Sequence, residues 1–254
     1  MIHANKALGQ NFLTDPHYRE RIAKAVGAKA GETVIEIGPG QGALTAELLS
    51  LGIKVIAVEK DTRMQEPLGK LAQQFPDQLT INYQDALNTD WRQLGPTPIT
   101  LCGNLPYNIG TQLVIDALQT RGKFQRMVFL LQKEVVGRIT AAAGEDDWGR
   151  LALFCQLHAN CRKLFDVPPG AFTPAPKVTS AVVEIIPLAK PRLEVNEAKL
   201  EQVVKVAFNQ RRKMLRGSLK GLMTEEQIAS TGIAPDRRPE TLSLEEFAKL
   251  AGLL

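Results

Sequence analysis

The sequence has few of the residues that build disulfide or metal sites. It contains three cysteines, Cys102, Cys155 and Cys161, and three histidines. The cysteines form no CxxC pair and leave one over, so we expect no disulfide framework. The histidines lack the ligand spacing of a zinc site, and we expect no metal. This cysteine pattern suits a reducing compartment, so we expect a cytoplasmic protein.

Long apolar runs are also absent. No run approaches the roughly 18 residues that a membrane-spanning helix needs, and residues 1–6 lack the apolar segment of a secretory signal. We therefore expect no membrane partner. The 254 residues allow one large α/β domain with a small appendage.

Acidic residues are missing from one stretch near the C-terminus. The net charge is only +4, but residues 202–224 contain no Asp or Glu. The basic residues within that stretch are Lys205, Arg211, Arg212, Lys213, Arg216 and Lys220. Such clustering is typical of nucleic-acid binding, although a solvated helix face has the same pattern. We favour binding, and assign it to Arg211, Arg212, Lys213 and Arg216.

Apolar strands alternate with amphipathic helices through the first half of the chain. The β-branched and apolar runs occupy residues 33–37, 55–58, 79–83, 99–102 and 127–131. This alternation is typical of βαβ units in a mostly parallel sheet. A further strand at residues 178–186 has no helix before it, and we expect it to form an antiparallel hairpin edge.

The sequence pattern changes after residue 167. We expect the proline-rich residues 168–176 (PPGAFTPAP) to be irregular and to display one aromatic side chain, Phe172. From residue 194 onward the pattern is helical. We therefore predict an α/β domain over residues 1–188 and a small helical domain over residues 189–254.

Glycines and carboxylates follow successive strands. Gly38-Pro39-Gly40 lies between a strand and a helix, where glycine lets a ligand approach the backbone closely. Glu59 ends the next strand, 19 residues after Gly40, and can accept hydrogen bonds from ribose hydroxyls. Asp85 ends the third strand, where it suits an adenine amino group. Together these residues predict a pocket for an adenosine-containing ligand.

Two ligands fit that pocket. Gly38-x-Gly40-x-x-Ala43 matches the dinucleotide fingerprint of NAD enzymes. Glu36, however, stands two residues before the first glycine, where it can meet a cationic amino-acid group. An acidic residue there is characteristic of S-adenosylmethionine sites, and the chain has no Tyr-x-x-x-Lys for hydride transfer. S-Adenosylmethionine is the favoured ligand, with NAD as the alternative.

The sequence Gly-Asn-Leu-Pro-Tyr follows the fourth strand. The exocyclic amine of adenine is a weak nucleophile because its lone pair is delocalised into the ring. The Asn104 side-chain oxygen and the Leu105 carbonyl are candidate acceptors for its hydrogens. Pro106 stiffens the loop and removes a competing donor, and Tyr107 can stack on the base. Phe172 is either a core plug or a second stacking face, and we favour stacking.

Several motifs together resemble one protein family. They are residues 6–13 (KALGQNFL), 36–45 (EIGPGQGALT), 84–87 (QDAL), 103–109 (GNLPYNI), 131–136 (LQKEVV), 171–180 (AFTPAPKVTS) and 208–213 (FNQRRK). The chain resembles the small-subunit (16S) ribosomal RNA adenine N6,N6-dimethyltransferases of the KsgA/RsmA type. NLPY marks adenine-N6 methyltransferases broadly, whereas its combination with LGQNFL, FTPxPKV and FNQRRK is specific to this family and its close relatives.

The resemblance implies an α/β fold of the Rossmann-like class I methyltransferase type, with a seven-stranded, mostly parallel sheet and a small all-α C-terminal domain. It implies S-adenosylmethionine as donor and two adjacent adenosines near the 3′ end of small-subunit rRNA as acceptors. We expect a monomer that meets this rRNA in an immature 30S particle. The implied donor contacts, with the neighbouring Lys60 and Ala86 added, are Asn11, Leu13, Gly38, Glu59, Lys60, Asp85, Ala86 and Asn104.

Two other functions stay open beside this resemblance. The related antibiotic-resistance methyltransferases act on large-subunit rRNA and share the donor loop, but FTPxPKV and FNQRRK fit the small-subunit group better. The other is an RNA-binding assembly factor whose methylation is secondary. Only five residues precede Lys6, so we expect no RNA contact from the longer basic arm that some relatives carry.

Overall fold

The structure is a computed structural model that describes residues 10–254. The first part of the KALGQNFL motif, residues 6–9, lies outside the described residues. The chain divides into two compact units. The sheet unit consists of the chain up to Val136 together with Arg162–Ala189, and the helical unit consists of Gly137–Cys161 and Lys190–Leu254.

The elements of the chain alternate as the sequence pattern predicts. The strands are β1 (Phe12–Leu13), β2 (Thr33–Ile37), β3 (Lys54–Glu59), β4 (Leu79–Tyr83), β5 (Ile99–Asn104), β6 (Phe124–Gln132), β7 (Ala159–Val167), β8 (Phe172–Thr173) and β9 (Ser180–Pro187). The helices are α1 (Pro16–Val26), α2 (Ala43–Ser50), α3 (Gln65–Gln74), α4 (Gly110–Gln119), α5 (Lys133–Thr140), α6 (Arg150–His158), α7 (Glu197–Asn209), α8 (Leu215–Ser218), α9 (Glu225–Ser230) and α10 (Leu244–Ala251).

Seven strands form one sheet in the order β4-β3-β2-β5-β6-β9-β7. The first five of these run parallel to one another, and β9 runs antiparallel to β6. The predicted seven-stranded, mostly parallel sheet is thus confirmed. The chain order changes direction between β2 and β5, and ligands of open α/β sheets bind at the carboxyl ends of the strands beside such a point.

The predicted antiparallel strand is β9, but it does not form the edge of the sheet. The outer neighbour of β9 is β7, which the sequence pattern did not reveal. Its side chains at Asn160, Arg162 and Lys163 are exposed. An edge strand is exposed to solvent along one side and can carry polar residues. For this reason β7 lacks the apolar run that marks the other strands.

The proline-rich stretch contains a short strand, so the expectation that it is irregular was wrong at this point. β8 pairs antiparallel with β1 through Phe12–Thr173 and Leu13–Phe172 partners. The backbone N–H of Thr14 also donates to the Ala171 carbonyl at 2.9 Å. These bonds attach residues 10–13, which we call the arm, to the sheet unit.

Helix α1 begins directly after the arm, as its sequence predicts. The Asp15 side chain accepts from the N–H groups of His17 and Tyr18 at 2.9 and 3.2 Å, and Pro16 is the first helical residue. The helix ends at Gly27, whose φ is +72°. This capping fixes where the arm leaves the first helix.

The helical unit has its own apolar core. Leu200, Val203, Val204 and Ala207 of α7 are buried there, as their spacing predicts. Trp148 and the buried side of α6 belong to the same core, which explains why residues 137–161 group with the C-terminal helices rather than with residues 1–136. None of the helices in residues 10–254 has the length and apolar content needed to cross a bilayer.

Candidate active site

One cavity in the sheet unit gathers the residues predicted for the donor and the target. It lies beyond the carboxyl ends of β2, β3 and β5. The predicted residues that line it are Asn11, Leu13, Glu36, Gly38, Gly40, Glu59, Lys60, Asp85, Ala86, Asn104, Leu105, Pro106 and Tyr107. Phe172 is the one predicted donor or target residue that is not part of this lining.

Glu59 is fixed by two main-chain donors. The Gly40 N–H donates to Glu59 Oε2 at 2.9 Å, and the Asp61 N–H donates to Oε1 at 2.7 Å. Gly40 has a φ of +55°, which glycine adopts without strain. Burial raises the pKa of Glu59, and the two N–H groups oppose that rise. Each carboxylate oxygen keeps a further lone pair, so both can still accept from ligand hydroxyls.

Glu36 is a buried acid with an unsatisfied oxygen. The residue is 1% exposed, and its Oε2 has no hydrogen-bond partner within residues 10–254. Burial, with the nearby Glu59 carboxylate, raises the pKa of Glu36 to about 8. A buried polar atom without a partner costs free energy. The positively charged amino-acid part of S-adenosylmethionine would satisfy this oxygen, so the residues present fit that donor.

Asp85 forms an ion pair that the sequence did not predict. Lys60 Nζ lies 2.7 Å from Asp85 Oδ2, and the Leu87 N–H donates to Asp85 Oδ1 at 3.0 Å. The ammonium group of Lys60 lowers the pKa of Asp85. Asp85 is therefore an ionised acceptor in a fixed orientation, and Lys60 contributes to the cavity by holding it.

The target loop is shaped by a close approach between strands. A Cβ on Gly103 would lie 2.3 Å from the Ile37 carbonyl oxygen, so only glycine fits between β5 and β2. The Leu105 N–H donates to the Leu130 carbonyl at 3.1 Å, and the Gly110 N–H to the Pro106 carbonyl at 3.0 Å. These bonds hold the loop at the end of β5.

The Asn104 side chain is oriented by the arm. Its Nδ2 donates to the Asn11 carbonyl at 2.9 Å. Because the amide nitrogen is bound in this way, Oδ1 is the side-chain atom that can accept hydrogen bonds from a ligand. That is the role which the sequence predicts for Asn104.

Tyr107 is held at its hydroxyl. The Tyr107 and Ser180 oxygens are 2.6 Å apart, and Ser180 is fully buried at the start of β9. Burial raises the pKa of the Tyr107 phenol, which therefore stays neutral. The hydrogen bond ties the target loop to the strand that follows the proline-rich stretch.

Phe172 lies in the core of the sheet unit. Its side chain is 3% exposed and packs in the cluster that includes Leu13. The pairing of β8 with β1 places Phe172 opposite Leu13 of the arm, and the ring packs there among apolar side chains. Its stacking on a base stays a prediction that requires β8 to move.

The arm contributes more of the cavity wall than Asn11 and Leu13, the two contacts implied by the resemblance. Gln10 and Phe12 line it beside Asn11 and Leu13. The Phe12 ring lies 3.1 Å from the position of a Cβ on Gly40, so it covers the glycine turn. Phe12 stands between Asn11 and Leu13, both implied as donor contacts, and that position was the available signal for it.

The basic residues after α7 are displayed on the helical unit. Arg212, Lys213 and Arg216 are exposed, whereas Arg211 is half-buried and its Nη2 donates to the Asp146 carbonyl at 2.6 Å. Residues 208–213 line a surface depression at this turn. Three of the four predicted RNA contacts are therefore accessible without rearrangement.

Comparison with known proteins identifies the family. All 254 residues match the family described as ribosomal RNA adenine dimethylase. The chain belongs to this family. Membership confirms the predicted enzyme class, a methyltransferase of rRNA adenines with S-adenosylmethionine as methyl donor, and it argues against the NAD enzyme.

Individual relatives agree with that assignment. The chain is 46% identical over 258 residues to ribosomal RNA small subunit methyltransferase A of Rhizobium etli, covering 100% of this chain and 94% of the relative. The protein of the same name from Agrobacterium fabrum is 47% identical over 259 residues, with the same coverage.

Solved structures show the same fold across both units. A dimethyladenosine transferase from Plasmodium falciparum has a TM-score of 0.78 at 26% identity, covering 94% of this chain and 95% of its own. The 23S rRNA methyltransferase ErmE has a TM-score of 0.75 at 25% identity, covering 96% of this chain and 99% of its own.

Proposed function

We propose that this protein transfers methyl groups from S-adenosylmethionine to N6 of two adjacent adenosines near the 3′ end of small-subunit rRNA. The observation that carries the proposal is one cavity that joins the strand-end carboxylates to the Asn104 loop. The choice of the small subunit is supported by identities of 46–47% to small-subunit enzymes, against 25% to the 23S enzyme.

The donor side of the cavity binds and orients. Glu59, fixed by the Gly40 and Asp61 N–H groups, accepts from the ribose hydroxyls. Asp85, fixed by Lys60, accepts from the adenine amino group of the donor. Glu36 meets the cationic amino-acid end with its unsatisfied oxygen. When bound, S-adenosylmethionine supplies a methyl group on a positively charged sulfur. After transfer the sulfur is a neutral thioether, which makes it a good leaving group.

The target side prepares the attacking nitrogen. Asn104 Oδ1 and the Leu105 carbonyl accept the hydrogens of N6, which favours a pyramidal nitrogen with an available lone pair. Tyr107 stacks on the base. N6 forms a bond to the methyl carbon as the carbon–sulfur bond breaks with both electrons going to sulfur, and N6 then loses one proton to water. Alignment supplies most of the rate because no strong base is needed.

The substrate is rRNA, and we propose that it is met within an immature 30S particle by a monomeric, cytoplasmic enzyme, as a step in small-subunit biogenesis. Arg212, Lys213 and Arg216 provide exposed positive charge for the phosphate backbone. Arg211 shares the same turn.

Neutralising the basic turn tests that RNA contact. We expect the Arg212→Gln/Lys213→Gln variant to bind RNA more weakly and with a flatter salt dependence, by roughly 0.7–0.9 in log–log slope per lost phosphate contact. Filter binding over a salt series measures the slope. Lys190→Gln/Lys249→Gln is a matched double variant at exposed positions outside the turn. An unchanged slope would show that these basic residues form a solvated surface and do not contact RNA phosphates.

The main test maps the modified nucleotides. The protein is incubated with immature small subunits and a methyl-labelled donor, and the rRNA is digested and analysed. We expect dimethyladenosine at two adjacent positions near the 3′ end. Asn104→Ala should abolish transfer while sparing most RNA binding, because it removes one acceptor at the amine. Near-normal turnover of that variant would contradict the proposed role of Asn104.

The same assay separates the alternative functions. The likeness to the 23S rRNA methyltransferase ErmE makes large-subunit rRNA the matched control substrate. Methylation of that RNA alone would favour the antibiotic-resistance type. If Asn104→Ala still restored subunit maturation in cells lacking the protein, binding rather than methylation would carry the biological role.

A further inference from the structure

Asp61 joins the donor wall of the cavity to the arm. It follows β3 by two residues and is 6% exposed. Its N–H donates to Glu59 Oε1 at 2.7 Å, so its backbone helps to fix the proposed ribose contact. Its side chain points to a different partner, Gln10, which is 51 residues earlier in the chain.

The contact between Asp61 and Gln10 belongs to a group of three residues that contact one another. Gln10 Nε2 donates to Asp61 Oδ2 at 2.9 Å. Arg63 Nε donates to Asp61 Oδ1 at 2.9 Å, and Arg63 Nη2 donates to Gln10 Oε1 at 3.3 Å. The guanidinium of Arg63 lowers the pKa of Asp61 to about 2, so the carboxylate is ionised at neutral pH. Each member thus contacts the other two through side-chain atoms.

The arm that starts at Gln10 covers the donor side and orients the target side. Its Asn11 carbonyl holds the Asn104 amide, and the Phe12 ring lies over Gly40. Displacement of the arm would open the cavity and ease the release of a ligand. The strength of the Gln10 attachment therefore bears on how long the ligand stays.

We propose that Asp61, supported by Arg63, is a positioning residue that fastens the arm over the donor through Gln10 and so sets the residence time of donor and product. This inference rests on the proposed function, because it takes the ligand of the cavity to be S-adenosylmethionine. Asp61 also accepts from the Arg63 N–H at 3.1 Å at the start of the turn Thr62–Met64, a local role that any test must separate from the first.

Gln10→Ala separates the two roles, since Gln10 takes no part in that turn. We expect it to weaken S-adenosylhomocysteine binding about tenfold, the size of one hydrogen bond to a charged group, through faster dissociation. Its melting temperature should stay that of the wild type. Gln73→Ala, at an exposed position of α3, is the matched control and should change neither quantity.

Asp61→Asn, alone and combined with Gln10→Ala, tests whether Gln10 acts through its contact with Asp61. Asn keeps an oxygen for the Arg63 N–H but lacks the charge. We expect Gln10→Ala to add little in the Asp61→Asn background, because both remove the same contact. Calorimetry gives the affinities, and stopped-flow competition gives the dissociation rates.

The outcomes distinguish this inference from the proposed function. Wild-type affinity and dissociation rate in Gln10→Ala would overturn the fastening role and leave the proposed function intact. A full additional loss in the double variant would show that Gln10 acts independently of Asp61, which also overturns it. A wild-type protein that does not bind S-adenosylhomocysteine would overturn the proposed function and the inference together.

Discussion

The carboxylate side chains of the donor wall are held largely by main-chain N–H groups, whereas the functional side chains of the target wall are each held by a single hydrogen bond. Glu59 accepts from two backbone N–H groups, and Asp85 accepts from one and from Lys60. Asn104 and Tyr107 are each fixed by one bond from a side-chain atom. The donor wall thus has the rigidity of the strand ends, and the target wall depends on the arm and on β9.

This difference matches what each wall has to bind. The donor carries a positive charge and two ribose hydroxyls, which ionised carboxylates in fixed positions recognise well. The target base is neutral and reaches the cavity from an RNA, so it needs acceptors and a flat ring rather than charge. Ordered contacts to the base cost entropy at each encounter, and the half-buried Asn104 and Tyr107 leave room for base entry.

The largest predicted effect comes from Glu59→Gln on the donor wall. Both carboxylate oxygens accept hydrogen bonds from N–H groups. The amide of Gln would replace one of these oxygens with an NH₂ group that faces a main-chain N–H. We expect S-adenosylhomocysteine affinity to fall by about a hundredfold, because hydrogen bonds to a charged group contribute about 1.5–3 kcal/mol. Calorimetry measures this.

Glu66→Gln is the control for that change, because Glu66 is an exposed glutamate of α3 paired with Lys70. It should bind the ligand as the wild type does. A Glu59→Gln affinity within threefold of the wild type would show that the donor wall does not depend on its main-chain donors.

The next effect is a pH dependence that only the donor wall should show. The pKa of Glu36 is raised from 4.5 to about 8, so the acid is mostly neutral at pH 7 without ligand. A cationic ligand favours the carboxylate, so binding should release a proton. We expect affinity to rise about tenfold per pH unit up to about pH 8 and then to level off.

The same shift has a sign for stability. The folded protein binds a proton that the unfolded chain has lost between about pH 4.5 and pH 8. Stability without ligand should therefore fall as pH rises through that window. Glu36→Gln should remove both trends, which calorimetry in buffers of different ionisation enthalpy and thermal melts can follow. A wild-type affinity independent of pH would place the cation elsewhere.

The donor wall was also the easier wall to predict from sequence. Gly40 and Glu59 follow apolar strands, and parallel strands bring their carboxyl ends to one edge, so spacing alone placed them together. Asn104 and Tyr107 could be assigned for the same reason. Their partners could not, because Asn11 and Ser180 are distant in the chain and no local pattern tells which residues of two distant segments will touch.

Elements without an apolar pattern could not be predicted from the sequence either. β7 is polar because it is the edge strand, and residues 137–161 join the helical unit through Trp148 and α6 in a core that no local pattern describes. Phe172 shows a further limit. Its motif predicts a functional ring, but the pairing of β8 with β1 determines where that ring lies.

The smallest predicted effect tests the target wall through the hydroxyl of Tyr107. Tyr107→Phe keeps the ring and removes only the bond to Ser180, and Ser180→Ala removes the same bond from the other side. We expect each to lower kcat/KM for RNA methylation by roughly three- to tenfold, the value of a neutral hydrogen bond. Donor affinity should not change.

The pair also shows whether one bond is responsible. The double variant should be no worse than either single one, since both remove the same interaction. Ser50→Ala, at an exposed serine of α2, controls for loss of a hydroxyl. If Ser180→Ala lowered donor affinity as much as methylation, the two walls would not be separable, because a bond on the target side would then be fixing the donor side as well.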